Sequence, residues 1–199
     1  MEMLAASSYA GVAACVVWCS ARLCRSIVPF DDGPSPGRPP TGFLVVGAGA
    51  VGLSLAVHGA PLPWLGLCAV LTAALAGCWY SDVRCGIVPD VFTLVPLAVV
   101  FALALLERNP WPVVSAAIVF VPFALAAVTS RGLGMGWGDV KLVALGAAVL
   151  GLQTSILSFA AACLVAAVVA LARGRRSAPI AFAPYLAASI ALALAIPRA

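Results

Sequence analysis

The sequence predicts an all-α, polytopic membrane protein of about eight transmembrane helices. Three observations carry that prediction. Hydrophobic residues make up 64% of the 199 residues. Charged residues make up 9%, against about 25% in an ordinary soluble domain. The apolar runs are long and continuous instead of alternating, which selects helices over a membrane β-barrel. The mean hydropathy of +1.13 agrees.

A helix needs roughly 20 apolar residues to cross a bilayer. Runs near that length fall at 3–21, 42–60, 64–81, 91–107, 111–130, 138–151, 154–172 and 179–197. Glu2 precedes the first run, and Arg22 and Arg25 follow it. A secretory signal has basic residues first, so this run is expected to be a retained helix with its N-terminus outside. The connector "RSIVPFDDGPSPGRPPT" is dense in proline and glycine. It is expected to be disordered, with Asp31 and Asp32 simply solvated. His58 is the lone histidine and is expected in a loop. Span three runs into "CWYSDVRCGIVPD", Glu107 lies in the loop after span four, and "RGLGMGWGDVKL" leads into span six.

The stretch 140–172 is short for two spans and long for one. The distribution of basic residues arbitrates. Two spans, broken near Gly151–Gln153, put Arg22, Arg25, Arg38, Arg84, Arg131, Lys141, Arg173, Arg175 and Arg176 in the cytoplasm and leave only Arg108 and Arg198 outside. A single span would move "RGRR" outside and weaken the bias. Two spans are therefore expected, with a short sixth helix and both termini outside. "RGRR" then sets topology and can also meet anionic lipid. Trp64, Trp79, Trp111 and Trp137 fall near span ends, where an interfacial belt is expected.

Composition also excludes some functions. The net charge of +4 is scattered over short loops, so no nucleic-acid surface is expected. The seven cysteines include no CxxC pair. They read as small buried hydrophobes, and with one histidine no metal site is expected.

Seven residues are acidic. Glu2, Asp31, Asp32 and Glu107 fall in a terminus or loops. Asp82, at the end of span three, and Asp139, at the start of span six, are separated by two whole spans. Both therefore face the cytoplasmic membrane boundary. Ionisable residues there are functional candidates. Two carboxyls within hydrogen-bond reach cannot both ionise easily, so they share a proton. That is the working state of an aspartic protease. The alternative is that each is an ordinary interface residue, paired with Arg84 or Lys141. Gly136 and Gly138 flank Trp137 just before Asp139. Glycine lets another backbone approach, which suits a protease admitting an extended substrate, but it equally permits tight loops and close helix contacts. Lys141 can tune the acids, bind a substrate carboxylate or mark the boundary. Arg84 can anchor the boundary or pair with an acid. Asp90 can cap span four or attract a basic segment.

"GMGWGDVKL" resembles the GxGD motif of the prepilin peptidases, or type IV leader peptidases. "DVRCGIVPD" is similar to that family's first aspartate motif, D-x-R-x-x-x-I-P-N. Asp82, Arg84 and Pro89 match, while Val88 and Asp90 depart from it. "LVALGAAVLG" resembles the stretch that follows GxGD. "IAFAPYLAASIAL" resembles the family's I-P-F-G-P-F-L-A segment, with Ala181 and Ala183 in place of its proline and first glycine. The likeness covers roughly residues 64–197.

The resemblance implies a six-helix catalytic core at 64–199, preceded by two added helices with their Pro/Gly-rich loop at 1–63. It implies an aspartic endopeptidase of the plasma (inner) membrane that cuts the basic leader from a prepilin-like protein on the cytoplasmic side. The cut would follow a glycine and precede the apolar helix of the substrate. Asp82 and Asp139 would be the catalytic pair, Gly136, Trp137 and Gly138 would shape the site, and neither cofactor nor metal would be needed. Longer members carry a cytoplasmic CxxC segment that binds zinc and also N-methylate the product. That segment and their G-S-F-L-N-V-V-x-x-R-L-P signature are missing here, so methyltransferase activity is not expected. Partners would be the protein substrate and membrane lipid. The rival classes are a proton-coupled small membrane transporter and a non-catalytic component of a pilus or secretion machine.

Overall fold

The computed structural model describes residues 2–27, 41–57, 61–130, 135–172 and 181–196. Among them the regular elements are α1 (Glu2–Ile27), α2 (Thr41–Val57), α3 (Leu62–Cys85), α4 (Asp90–Leu106), α5 (Trp111–Thr129), α6 (Trp137–Leu150), α7 (Leu152–Ala172) and α8 (Ala183–Ala195). Each apolar run has become a helix. Three stretches, Trp64–Cys85, Trp111–Thr129 and Leu152–Ala172, are long and apolar enough to cross a membrane. Most of the Pro/Gly-rich connector, His58, Arg131–Gly134 and "RGRR" lie outside the described residues.

Three boundaries differ from the sequence reading. α1 continues through Arg22 and Arg25, and Arg22 lies over the Trp18 ring, 4.1 Å from its centroid. α3 continues to Cys85, so Asp82 sits inside its last turn instead of at its end. The stop signal is Gly86, which takes the left-handed conformation (φ 64°) that closes helices cheaply only without a Cβ. Its N–H returns to the Asp82 carbonyl at 2.9 Å. α8 begins at Ala183, later than the apolar run suggests.

α3 and α6 form the centre. Two-thirds of the α3 span is buried, against 22% for each of the α5 and α7 spans. In α6, eleven of fourteen residues are buried. At 1.5 Å per residue α6 is about 21 Å long, well short of the ~30 Å apolar core of a bilayer. The short sixth helix expected from the charge distribution is therefore present, and it ends at Gly151, where φ is 78°. α4 and α8 each pack on both α3 and α6, while α3 and α6 do not pack directly on each other among the described residues. α4 and α8 thus bridge the two aspartate-bearing helices, whose side chains share one buried core.

Small residues set the close crossings. A Cβ on Gly146 would lie 2.7 Å from Ile190 Cδ1 and 2.8 Å from Phe159 Cζ, which seats α6 against α7 and α8. α1 packs on α2 and α3, and α2 also touches α8. Ser20 Oγ donates to the Ala73 carbonyl at 2.7 Å and Ser54 Oγ to the Ala195 carbonyl at 2.8 Å, pinning α1 to α3 and α2 to α8. Cys24, Cys68 and Cys78 are buried as expected. Cys15, Cys19 and Cys163 are exposed. The expectation of burial fails for those three because they lie on outward helix faces, where a small apolar side chain suits lipid equally well.

Candidate active site

Asp82 is buried in the last turn of α3. Its Oδ2 accepts the backbone N–H of Ala183 at 3.1 Å, in a buried contact across 101 residues of chain. Ala183 opens α8, and Phe182 at its N-cap offers no side-chain hydrogen bond. The first N–H groups of a helix have no intrahelical acceptor and carry partial positive charge. Here a carboxylate from another helix serves as the missing cap.

Asp139 is the third residue of α6 and is also buried. It lies within the positive first turn of its own helix. Its Oδ1 is buried with no hydrogen-bond partner. Buried polar atoms are nearly always satisfied, so this oxygen marks an unused bonding position. Asp82 lies close enough to Asp139 to act on it electrostatically, and Cys78 is one turn before Asp82.

Two local features hold the acids in register. Ser81 Oγ donates to the Ile87 carbonyl at 2.6 Å, folding the chain tightly after Gly86. That fold brings Val88 against α6. A Cβ on Gly138 would lie 2.6 Å from Val88 Cβ and 3.1 Å from its Cγ2. The segment after Asp82 therefore touches the residue before Asp139, and only a glycine fits there. Gly136 differs. It is the α6 N-cap with ordinary extended dihedrals (φ −77°, ψ 150°), and an added Cβ would meet Asp139 Oδ2 at an easy 3.5 Å.

The remaining residues lie around this centre. Lys141 Nζ pairs with Asp90 Oδ1 at 2.6 Å, linking α6 to α4. The expected capping role of Asp90 does not hold. Pro89 is the N-cap of α4, and Asp90 is already helical with its carboxylate turned to Lys141. Arg84 Nη1 donates to Tyr80 Oη at 3.0 Å. Trp137 is half exposed at the head of α6. Among the described residues no group of three or more His, Cys, Asp or Glu side chains is placed to hold a metal.

The arrangement brings together two buried carboxyls, one held by a helix N-terminus and the other with an open oxygen. Two such groups disfavour double ionisation, and a shared proton lets one take a proton while the other gives one. Sequence reasoning missed Ala183 and Val88. Ala183 contributes a backbone N–H, for which no residue type is a signal. The segments that hold both residues were singled out by resemblance, and Pro184 suits the first turn of a helix, but neither signal names a contact.

A family model described as the type IV leader peptidase family matches residues 67–171, more than half of the chain. The match takes in both aspartates and ends before α8. No curated protein matches, and no solved structure matches.

Proposed function

The chain belongs to the type IV leader peptidase family, and we propose that it is an aspartic endopeptidase whose catalytic pair is Asp82 and Asp139. One observation carries this reading. The two buried acids of the described residues come from separate helices and lie within electrostatic reach at one end of the bundle, next to two helix N-termini. In the proposed reaction the ionised carboxyl of the pair takes a proton from water. The oxygen of that water bonds to the scissile carbonyl carbon, while the protonated carboxyl gives its proton to the carbonyl oxygen. Collapse of the tetrahedral intermediate breaks the C–N bond, and the leaving nitrogen takes up a proton. The products are a carboxylate and an amine, and no acyl-enzyme forms.

The substrate in this reading is the basic leader of a prepilin-like membrane protein, cut at the cytoplasmic face of the plasma membrane. Residues 64–199 form the catalytic unit, with 1–63 as an added helix pair and no methyltransferase site. The transporter alternative would call for acids along a path through the bundle. The buried acids among the described residues are confined to one end.

The test is cleavage of prepilin-like substrates by purified protein in liposomes. Asp82→Asn and Asp139→Asn are each expected to lower the rate by at least about 100-fold while helix content and melting temperature stay near wild type. Full activity in either variant refutes the assignment.

A further inference from the structure

One cavity lies outside the acid pair, with its lining one helical turn away from Asp82 on α3 and from Ala183 on α8. It is an apolar groove of about 450 Å³ between α2, α3 and α8. On α3 it is lined by Thr72, Leu75, Ala76 and Trp79. Their spacing of three and four defines one helix face, and the next residue on that face is Asp82. On α8 the lining runs through Ala195, Ala191 and Ala187. One further step of four reaches Ala183, whose N–H bonds Asp82. Both stripes therefore end at the same hydrogen bond. From Thr72 to Trp79 the groove lining extends about 10 Å along α3, and Asp82 follows one turn further on.

The lining dictates what can lie there. Thr72 Oγ1 is committed to the Cys68 carbonyl at 2.6 Å, and at the far end Ser54 Oγ is committed to the Ala195 carbonyl. The walls thus offer little hydrogen bonding, so a polypeptide in the groove must satisfy its own backbone, which within a membrane means a helix. Gly47 and Ala48 of α2 complete a surface of small residues. Such a surface admits a helix backbone closely, a property that an acyl chain does not require.

We infer that this groove holds an apolar helix of the protein substrate, with the end of that helix beside the bond that is cut. The inference rests on the peptidase reading above. It gives α2, which lies outside the family match, the role of one wall of the substrate site. It also explains how a membrane protein can deliver a single peptide bond to Asp82. The docked helix fixes the register, and the first residues beyond its end unwind across the acids.

The experiment fills the groove from its open side. Gly47 and Ala188 are exposed groove residues, and a Cβ on Gly47 meets nothing within 4 Å, so Gly47→Leu and Ala188→Leu leave the fold intact. Two substrates are compared in phosphatidylethanolamine/phosphatidylglycerol liposomes: a prepilin-like protein with its apolar helix, and a short soluble peptide spanning the same bond without it. The expected result is that kcat/KM for the protein falls about tenfold or more relative to the peptide, a difference of about 1.4 kcal/mol. Equal losses on both substrates, or no loss on either, overturn the inference. In parallel, a benzophenone amino acid replaces Leu192, an exposed groove residue, in the Asp139→Asn background. A photo-crosslink to the substrate's helix supports docking, and one to lipid or to a second copy of the chain overturns it. If wild type cleaves neither substrate, the peptidase reading fails, while the crosslink still reports separately on the groove.

Discussion

Replacing Gly138 with alanine is a one-carbon change that tests how the two aspartates are held in register. The added Cβ would lie 2.6 Å from Val88 Cβ, 3.1 Å from its Cγ2 and 3.6 Å from its Cα. Carbon atoms rest at about 3.5–4.0 Å, so the contact is too short by about 1 Å. Rotating Val88 gives no relief, because the nearest atom is its Cβ, which moves only with the backbone. Either the Gly86–Pro89 segment or the head of α6 must shift by about that distance, and Asp139 is the residue after Gly138. A 1 Å displacement of a reacting group costs about 100-fold, or about 2.7 kcal/mol in the barrier. Overpacking adds a stability cost of about 1–3 kcal/mol. Gly136→Ala is the control, since its Cβ has room and its dihedrals suit any residue. Cleavage by Gly138→Ala should fall about 100-fold and that of Gly136→Ala by less than about tenfold, both read as initial rates in liposomes at matched folded fractions. Adding Val88→Gly removes the clashing atom and should restore most of the Gly138→Ala loss, as a coupled pair in a double-mutant cycle. An active Gly138→Ala, or a double variant no better than the single one, refutes the argument.

Cleavage that needs one proton on the acid pair predicts a bell-shaped kcat/KM. Activity is lost on the acid side as the second carboxyl protonates, and on the alkaline side as both ionise. A plateau that persists on the alkaline side excludes the shared proton. Lys141→Met removes a partly exposed ion pair with Asp90, worth about 0–1 kcal/mol. The melting temperature should fall by no more than about 4 °C, and a loss of cleavage beyond about tenfold would instead give Lys141 a direct effect on the acids. EDTA should leave cleavage unchanged, since no metal-holding cluster lies among the described residues. A loss restored by a divalent cation would refute a purely carboxyl mechanism.

The legible parts of this fold are those where a chemical type is scarce. Seven acids in a chain of 199 residues made Asp82 and Asp139 visible, and the basic residues split 140–172 into two helices at Gly151. What the sequence concealed depends on contacts without a chemical label. Lys141 and Asp90 are 51 positions apart, and nothing in either neighbourhood says that they meet. Gly138 reads as a place of close approach, for a substrate backbone, a tight loop or a helix, but nothing in the sequence names the valine that comes against it. The capping role expected of Asp90 failed because Pro89 already occupies the cap, leaving the carboxylate free to reach α6.

The same structure accounts for how an apolar bundle tolerates two buried acids. α6 and α8 are about 21 Å and 20 Å long at 1.5 Å per residue, both shorter than the apolar core of a bilayer. Two helices too short to span can end at a common depth, and here their N-termini converge on the acid pair. Each N-terminus carries about half a positive charge and free N–H groups. Burying a carboxylate without partners is very unfavourable, so this convergence is the electrostatic condition for the site. It is also unequal. α8 satisfies Oδ2 of Asp82, while α6 leaves Oδ1 of Asp139 without a partner. The N-terminus of α8 lies beyond the family match, yet it supplies the hydrogen bond that holds Asp82. Shortening α8 from its N-terminal end should therefore impair cleavage through Asp82, although no ionisable side chain is removed.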